Sequence, residues 1–167
     1  PITMKYNDVT SNSAATTVNL FADFFSSVYS QNHNPNFDMS YSINSNSEFN
    51  SHLFSLGEVF SAIVDLKSSF NCGPDGIPAY FIKQCVYSLS KPIQYIFNLS
   101  LSSGVFPSYW KNSYVTPIYK SGDRSEVTNY RGVCIQSALA KLLDFLITQQ
   151  LRYIAKQSLS SFQHGFI

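Results

Sequence analysis

Between Trp110 and Arg131 the chain reads W-K-N-S-Y-V-T-P-I-Y-K-S-G-D-R-S-E-V-T-N-Y-R. This stretch leaves few folding options. Tyr114, Val115, Ile118 and Tyr119 are β-branched or aromatic and favour an extended strand. Pro117 has no N–H to give to a ladder, so the strand belongs at a sheet edge. Ser121-Gly122-Asp123 is turn chemistry, because Gly accepts positive φ and Asp bonds its own backbone. The chain then resumes at Asn129-Tyr130-Arg131 and runs through Val133 and Ile135. These features predict a two-stranded ribbon with a loop at its tip, with Lys120, Arg124 and Arg131 on or near one polar surface. Such cations suit a phosphate, Lys as a point charge and Arg as a bidentate fork. They equally suit a solvated hairpin whose charges only keep it soluble.

The charge distribution points to the same half of the chain. Net charge is +1 over 167 residues, so no global basic field announces a polyanion. Up to Tyr109 the net charge is −3, and from Trp110 onward it is +4. A phosphate-binding surface therefore belongs in the second half. Charged residues are only 13% of the chain, well below the usual quarter or so, which hints at further partners. Cys72, Cys85 and Cys134 are odd in number and lack C-x-x-C spacing. They are read as buried or half-buried free thiols in a reducing intracellular setting. No run of about 18 apolar residues exists to make a transmembrane helix, and the N-terminus has no secretory pattern.

In chain order, residues 1–12 are polar and expected to be frayed. Ser13 to Tyr29 has Val18, Phe21, Phe25 and Val28 at helical spacing, flanked by Leu20 and Phe24, and reads as a core-packing helix. Gln31 to Asn50 is rich in Asn and Ser and reads as a linker, with His33 and His52 as solvated histidines. Ser55-Leu56-Gly57-Glu58 is a capping box. It starts a helix with Val59, Phe60, Ile63 and Leu66 inward, stopping near Ser68. Asn71 to Pro78 packs two glycines, two prolines and an Asp into a specified turn, which is not a Gly-rich phosphate loop. Pro78 begins a helix with Phe81, Ile82, Cys85 and Leu89 inside. Pro92 restarts another, with Ile93, Ile96, Phe97 and Leu101 inside. Gly104 ends it as a left-handed residue, and Pro107 keeps it ended. After the ribbon, Ser137 caps a long helix with Leu139, Leu142, Leu143, Leu146, Ile147, Leu151 and Ile154 inside and Lys141, Arg152 and Lys156 outside. Asp65, Asp75, Asp123 and Asp144 are scattered, so no pair of carboxylates converges for metal-dependent nucleotidyl transfer. No catalytic residue, metal site or nucleophile elbow is assigned.

Several segments resemble one family in order and spacing. Gly73-Pro74-Asp75-Gly76-Ile77-Pro78 resembles the G-P-D-G-I-P block of reverse transcriptases of non-LTR (LINE-type) retrotransposons. Phe97-Asn98-Leu99-Ser100-Leu101, Gly104-Val105-Phe106-Pro107 and Trp110-Lys111 are similar to that family's F-N-x-S-L, G-x-F-P and W-K blocks. Val115-Thr116-Pro117-Ile118-Tyr119-Lys120, with Gly122-Asp123, is similar to its V-x-P-I-(F/Y)-K-x-G-D. Asn129-Tyr130-Arg131 and Gln163-His164-Gly165-Phe166 resemble its N-Y-R-P-I-S and Q-x-G-F blocks. The likeness covers about Phe54 to the C-terminus.

That resemblance implies an α+β, mostly helical fold: the fingers part of a right-hand polymerase with a small antiparallel β-ribbon. It divides the chain into 1–53, a helix plus linker, and 54–167, an incomplete fingers region. It implies an N-terminal fragment of an RNA-directed DNA polymerase that is not catalytically competent alone. The family's aspartates follow Q-x-G-F, past Ile167, so no cofactor is expected here and Mg2+ only in the complete polymerase. Lys120 and Arg131 match positions that grip the incoming deoxynucleoside triphosphate (dNTP). Gln163, Gly165 and Phe166 match a block near template and nucleotide, and Lys111, Gly73 and Asp75 are placed near the RNA template. Implied partners are RNA template, DNA primer, dNTP and the missing palm/thumb region, in nucleus or cytoplasm. With the palm missing, an uncovered apolar patch is expected. One departure stands out: Gly132-Val133-Cys134 replaces the family's Pro-Ile-Ser, and Gly frees the backbone where Pro fixes φ. The alternative is a non-enzymatic helical protein-interaction module derived from a decayed or domesticated element.

Overall fold

The computed structural model describes residues 3–29 and 53–158, with side chains as far as Arg152. The expected linker, His33, His52 and the Gln163–Phe166 block lie outside these residues. The fold is mixed helix and sheet, mostly helical, with two small antiparallel sheets. The chain divides into two compact units: Pro1–Glu48 with Val115–Cys134, and Phe49–Tyr114 with Ile135–Ile167. Residues 115–134 of the ribbon thus group with the N-terminal helix. No helix among the described residues is long and apolar enough to cross a membrane.

In the first unit, residues expected to fray form a hairpin instead. Strands β1 (Lys5–Tyr6) and β2 (Val9–Thr10) pair antiparallel through Asn7 and Asp8, with φ of 47° and 64°. Asn and Asp tolerate this left-handed region, and two such residues make the turn that suits a twisted hairpin. Met4 anchors the hairpin by burial against Leu20, Phe21 and Val127. Helix α1 (Ala14–Ser27) starts at a capping box in which the Thr16 N–H donates to Ser13 Oγ and the Ser13 N–H to Thr16 Oγ1. Leu20 and Phe21 are its buried residues, whereas Val18 and Val28, expected inside, are about two-thirds exposed. A stripe at helical spacing fixes a face but not what covers it.

The second unit holds the larger core: Phe54, Val59, Ile63, Ile82, Phe97, Leu142 and Leu143 are its largest buried side chains. Helix α2 (Leu56–Asp65) has the expected capping box: Glu58 N–H donates to Ser55 Oγ, and Glu58 Oε2 accepts from the Ser55 N–H. It ends at Asp65, short of Ser68. Phe54 is held at both backbone groups, its N–H by Asn98 Oδ1 and its carbonyl by the side-chain amides of Asn98 and Gln94. Trp110 lies edge-on to both Phe97 and Phe106, at 5.8 and 6.1 Å.

Two helix boundaries differ from expectation. Helix α3 (Ala79–Gln84) is short, and the break comes at Cys85. Helix α4 (Val86–Ser103) then runs straight through Pro92. Proline frees the carbonyl four residues back, here on Ser88. Both Ser88 and Pro92 are exposed, so water can take that carbonyl. Phe81 and Ile96, expected inside, are exposed, while Val86 is buried. Gly104 ends α4 at φ 66°, as expected. Helix α5 (Ala138–Ser158) buries Leu142, Leu143 and Leu146, while Leu151 is half exposed and the side chain of Ile154 lies outside the described residues. Ser137 is fully buried and its carbonyl accepts from Lys141, but its hydroxyl makes no hydrogen bond. The expected side-chain cap is therefore absent.

The Asn71–Pro78 turn is shaped by packing. A Cβ on Gly73 would meet the backbone of Ser137 at 2.5 Å. Backbone cannot yield as a flexible side chain can, so only glycine fits. Cys72 and Pro78 form an antiparallel bridge that closes the turn. We expect Gly73→Ala to cost about 1–3 kcal/mol, the range for forcing atoms into a filled interior. Urea unfolding read by circular dichroism checks this, and an unchanged midpoint would disprove the close approach.

Candidate functional site

The ribbon consists of β3 (Ser113–Tyr119) and β4 (Tyr130–Gln136), paired as a two-stranded sheet. The Lys120 N–H donates to the Asn129 carbonyl at 2.9 Å and closes the ladder at the tip. The loop beyond it holds itself together. Gly122 sits at φ 91°. The Tyr119 hydroxyl donates to the Gly122 carbonyl, the Asn129 side-chain amide to the Asp123 carbonyl, and the Tyr130 hydroxyl to the Arg124 carbonyl. Two are ribbon tyrosines and the third is Asn129 of the 3-10 turn just before β4, all binding loop backbone, so loop shape is tied to the strand ends. The first hairpin adds a brace: the Lys5 N–H donates to the Ser125 carbonyl at 2.8 Å. Beneath, Tyr130 packs edge-on against Phe21 at 5.1 Å and Tyr119 at 5.6 Å.

On this scaffold the predicted cations differ in setting. Lys120 and Arg131 are exposed, and neither is held by an ion pair among the described residues. Arg124 lies with its guanidinium carbon 4.6 Å from the centre of the Tyr119 ring, so one planar face is covered. Arg131 borders a hollow of about 750 Å³ between α1 and the ribbon, lined by apolar side chains such as Val18, Phe25, Val28 and Pro117. The three cations therefore do not share one uniformly polar surface. Gly132 lies under Phe25: a Cβ there would meet the Phe25 ring at 3.4 Å and Val115 Cγ1 at 3.0 Å. An aromatic ring covering a strand glycine replaces the packing that glycine lacks.

The remaining predicted residues belong to the other unit. Gly73 is buried against Ser137. Asp75 Oδ1 accepts from the Ile77 N–H at 3.1 Å, and its Oδ2 is buried without a hydrogen bond. Both residues thus shape their own turn. Lys111 is exposed at the end of the 3-10 turn Ser108–Lys111. Gln163, Gly165 and Phe166 lie outside the described residues. Among the described residues, no three His, Cys, Asp or Glu side chains gather as a metal site. Cys72 and Cys85 are half-buried as expected, but Cys134 is exposed. Sequence reading missed the brace from Lys5. Its available signal was Asn7-Asp8 between two short runs, the pattern of a two-residue hairpin turn.

No protein-family model matches the chain. Over 111 residues, 65% of its length, it is 27% identical to a 115 kDa protein of the type-1 retrotransposable element R1DM of Drosophila melanogaster. The chain spans about a tenth of that relative, 11% of its length. This distant similarity supports a retrotransposon origin for the fragment.

Asp123 gives the tip a pH dependence. Its carboxylate accepts from the Ser125 backbone N–H and side chain, and Lys5 adds a weaker attraction; together these outweigh slight desolvation and hold its pKa below the ordinary 3.8. A depressed carboxylate contributes order that is present above its unfolded pKa and lost as pH falls through the folded one. The Ser125 amide proton, followed by NMR, should titrate with a midpoint below 3.8. A midpoint at or above that value would rule out the hydrogen bond from the Ser125 N–H.

Proposed function

We propose that this chain is the N-terminal fingers region of a retrotransposon RNA-directed DNA polymerase, contributing contacts to template RNA and incoming dNTP. The observation that carries this reading is a braced β-ribbon presenting two exposed cations, Lys120 and Arg131, free of ion pairs among the described residues. A cation held by internal acids has little left for a ligand, whereas an unpaired one can take a phosphate oxygen. Lys120 follows the strand's last residue, where the ladder bond to Asn129 fixes its backbone. In this reading its ammonium meets the triphosphate as a point charge. Arg131 offers its fork from the opposite strand, at the rim of the apolar hollow and beside the Gly132 that Phe25 covers.

Lys111 is a further backbone contact to template in this proposal. Gly73 and Asp75 act through the shape of their turn rather than as ligands. Gln163, Gly165 and Phe166 stay assigned to template and nucleotide by resemblance alone. The chain itself carries no catalytic role: the acids that would bind Mg2+ belong to the palm of the complete polymerase. Primer, template, dNTP and the palm/thumb region are the proposed partners, inside the cell.

A charge-assisted hydrogen bond is worth about 1.5–3 kcal/mol. In the complete polymerase, Lys120→Ala should therefore raise the apparent KM for dNTP on the order of tenfold or more, and primer–template affinity should change little. Steady-state kinetics beside filter binding separates the two. Equal losses in both would remove the triphosphate role. Affinity of the chain for RNA should also fall steeply with salt, since phosphate contacts release counterions. Salt-independent or absent binding would favour the protein-interaction reading instead.

A further inference from the structure

Phe70 is the most exposed ring in a stacked pair anywhere among the described residues. It is 76% exposed, yet it stacks on Tyr80 at 4.5 Å between centroids and 30° between planes. A lone exposed apolar side chain needs no explanation by itself. Here it is also fixed in place. The Tyr80 N–H donates to the Ser69 carbonyl at 3.0 Å, tying the start of α3 to the residue before Phe70. The Asn71 N–H donates to Ser69 Oγ at 3.1 Å, turning the chain around Phe70. The Cys72–Pro78 bridge closes the segment just beyond. Tyr80 thus backs one face of Phe70, and the other is left to solvent.

Two lysines lie on the segments that carry the pair, Lys67 shortly before Phe70 and Lys83 shortly after Tyr80. Lys83, one helical turn after Tyr80 on α3, donates from Nζ to the Leu66 carbonyl at 3.2 Å. This sets its ammonium beside the peptide that leads into Lys67, itself exposed. Asp65 is the acid on the same segment; Asp75 nearby in sequence turns one oxygen to Ile77 and buries the other. An open aromatic face on a segment that also carries Lys67, exposed, and Lys83, half-buried, matches a base and its phosphate. A protein hot spot differs, being sunk in a pocket and ringed by packed residues that exclude water.

We propose that Phe70, backed by Tyr80, is a stacking platform for one base of single-stranded nucleic acid, with Lys67 and Lys83 on the adjoining phosphate. The fixed backbone means little ordering remains to be done on binding. The platform rests on the polymerase reading only for which strand it takes, the RNA template. Its binding to single strands stands independently of the ribbon's role.

The test uses the whole chain and fluorescein-labelled oligoadenylate RNA, the matching single-stranded DNA, and an RNA duplex. Base–aromatic stacking is worth about 1–3 kcal/mol per base, so Phe70→Ala should weaken single-strand binding by roughly tenfold. Phe70→Trp should keep it, with a shift in indole emission on binding. Phe70→Leu preserves bulk without the ring and should behave like the Ala variant, which separates stacking from folding. The salt slope should be unchanged in all three, because no phosphate contact is removed. Equal loss on RNA and DNA leaves the platform standing and makes it indifferent to the sugar; preferential loss on RNA supports template use. Wild-type affinity in the Ala and Leu variants overturns the platform, as does equal loss on duplex. So do variants that change sedimentation alone, which would mark a protein contact. Absence of any oligonucleotide binding by the wild-type chain overturns both platform and polymerase reading. Loss at Phe70 with no effect of Lys120→Ala on dNTP KM overturns only the ribbon's role.

Discussion

The larger unit depends on one close approach: the backbone of Gly73 lies against the backbone of Ser137, with no room for a Cβ. This contact joins the turn after α2 to the start of α5. Around it the apolar faces of α2, α4 and α5 meet over Phe54, Ile63, Phe97 and Leu143. It also has a cost. The Ser137 hydroxyl and one Asp75 oxygen are buried without hydrogen bonds, and such groups lose solvation without compensation. The apolar burial around them, at about 25 cal/mol per Å², is what tolerates two orphaned atoms.

The smaller unit solves a different problem. A two-stranded ribbon is marginal alone in water, and its core of Met4, Leu20, Phe21 and Val127 is small. Aromatic side chains supply the rest. Tyr6, Phe24, Phe25, Phe21, Tyr130 and Tyr119 pair in a chain of edge-on, tilted and stacked contacts. The two ribbon tyrosines also use their hydroxyls on the loop. Rigidity at the tip thus comes from rings below and hydrogen bonds above, and the loop cations need no ion pair to be placed.

Legibility followed how local the physics was. Both capping boxes, the Gly104 stop and the ribbon around Gly122 depend on a few neighbouring residues, and the sequence carries them openly. The mostly helical α+β class followed from the same signals. Packing was less readable. Val18 and Val28 repeat at helical spacing yet are exposed, because periodicity does not say whether a partner covers the face. Pro92 was expected to break a helix; exposure of Ser88 lets the helix continue. At the site, residue types gave the cations and their place on a hairpin. They could not give the stacking of Arg124 on Tyr119 or the apolar setting of Arg131, since both depend on rings distant in sequence or across the loop. No sequence signal singled out Phe70, because stacking and exposure are properties of coordinates.

Phe25 resting on Gly132 ties two positions together across more than a hundred residues of chain. Neither is free to drift alone. A larger residue at 132 meets the ring and Val115, and a smaller one at 25 leaves bare strand. A change at either position is therefore tolerated only as far as the other residue allows.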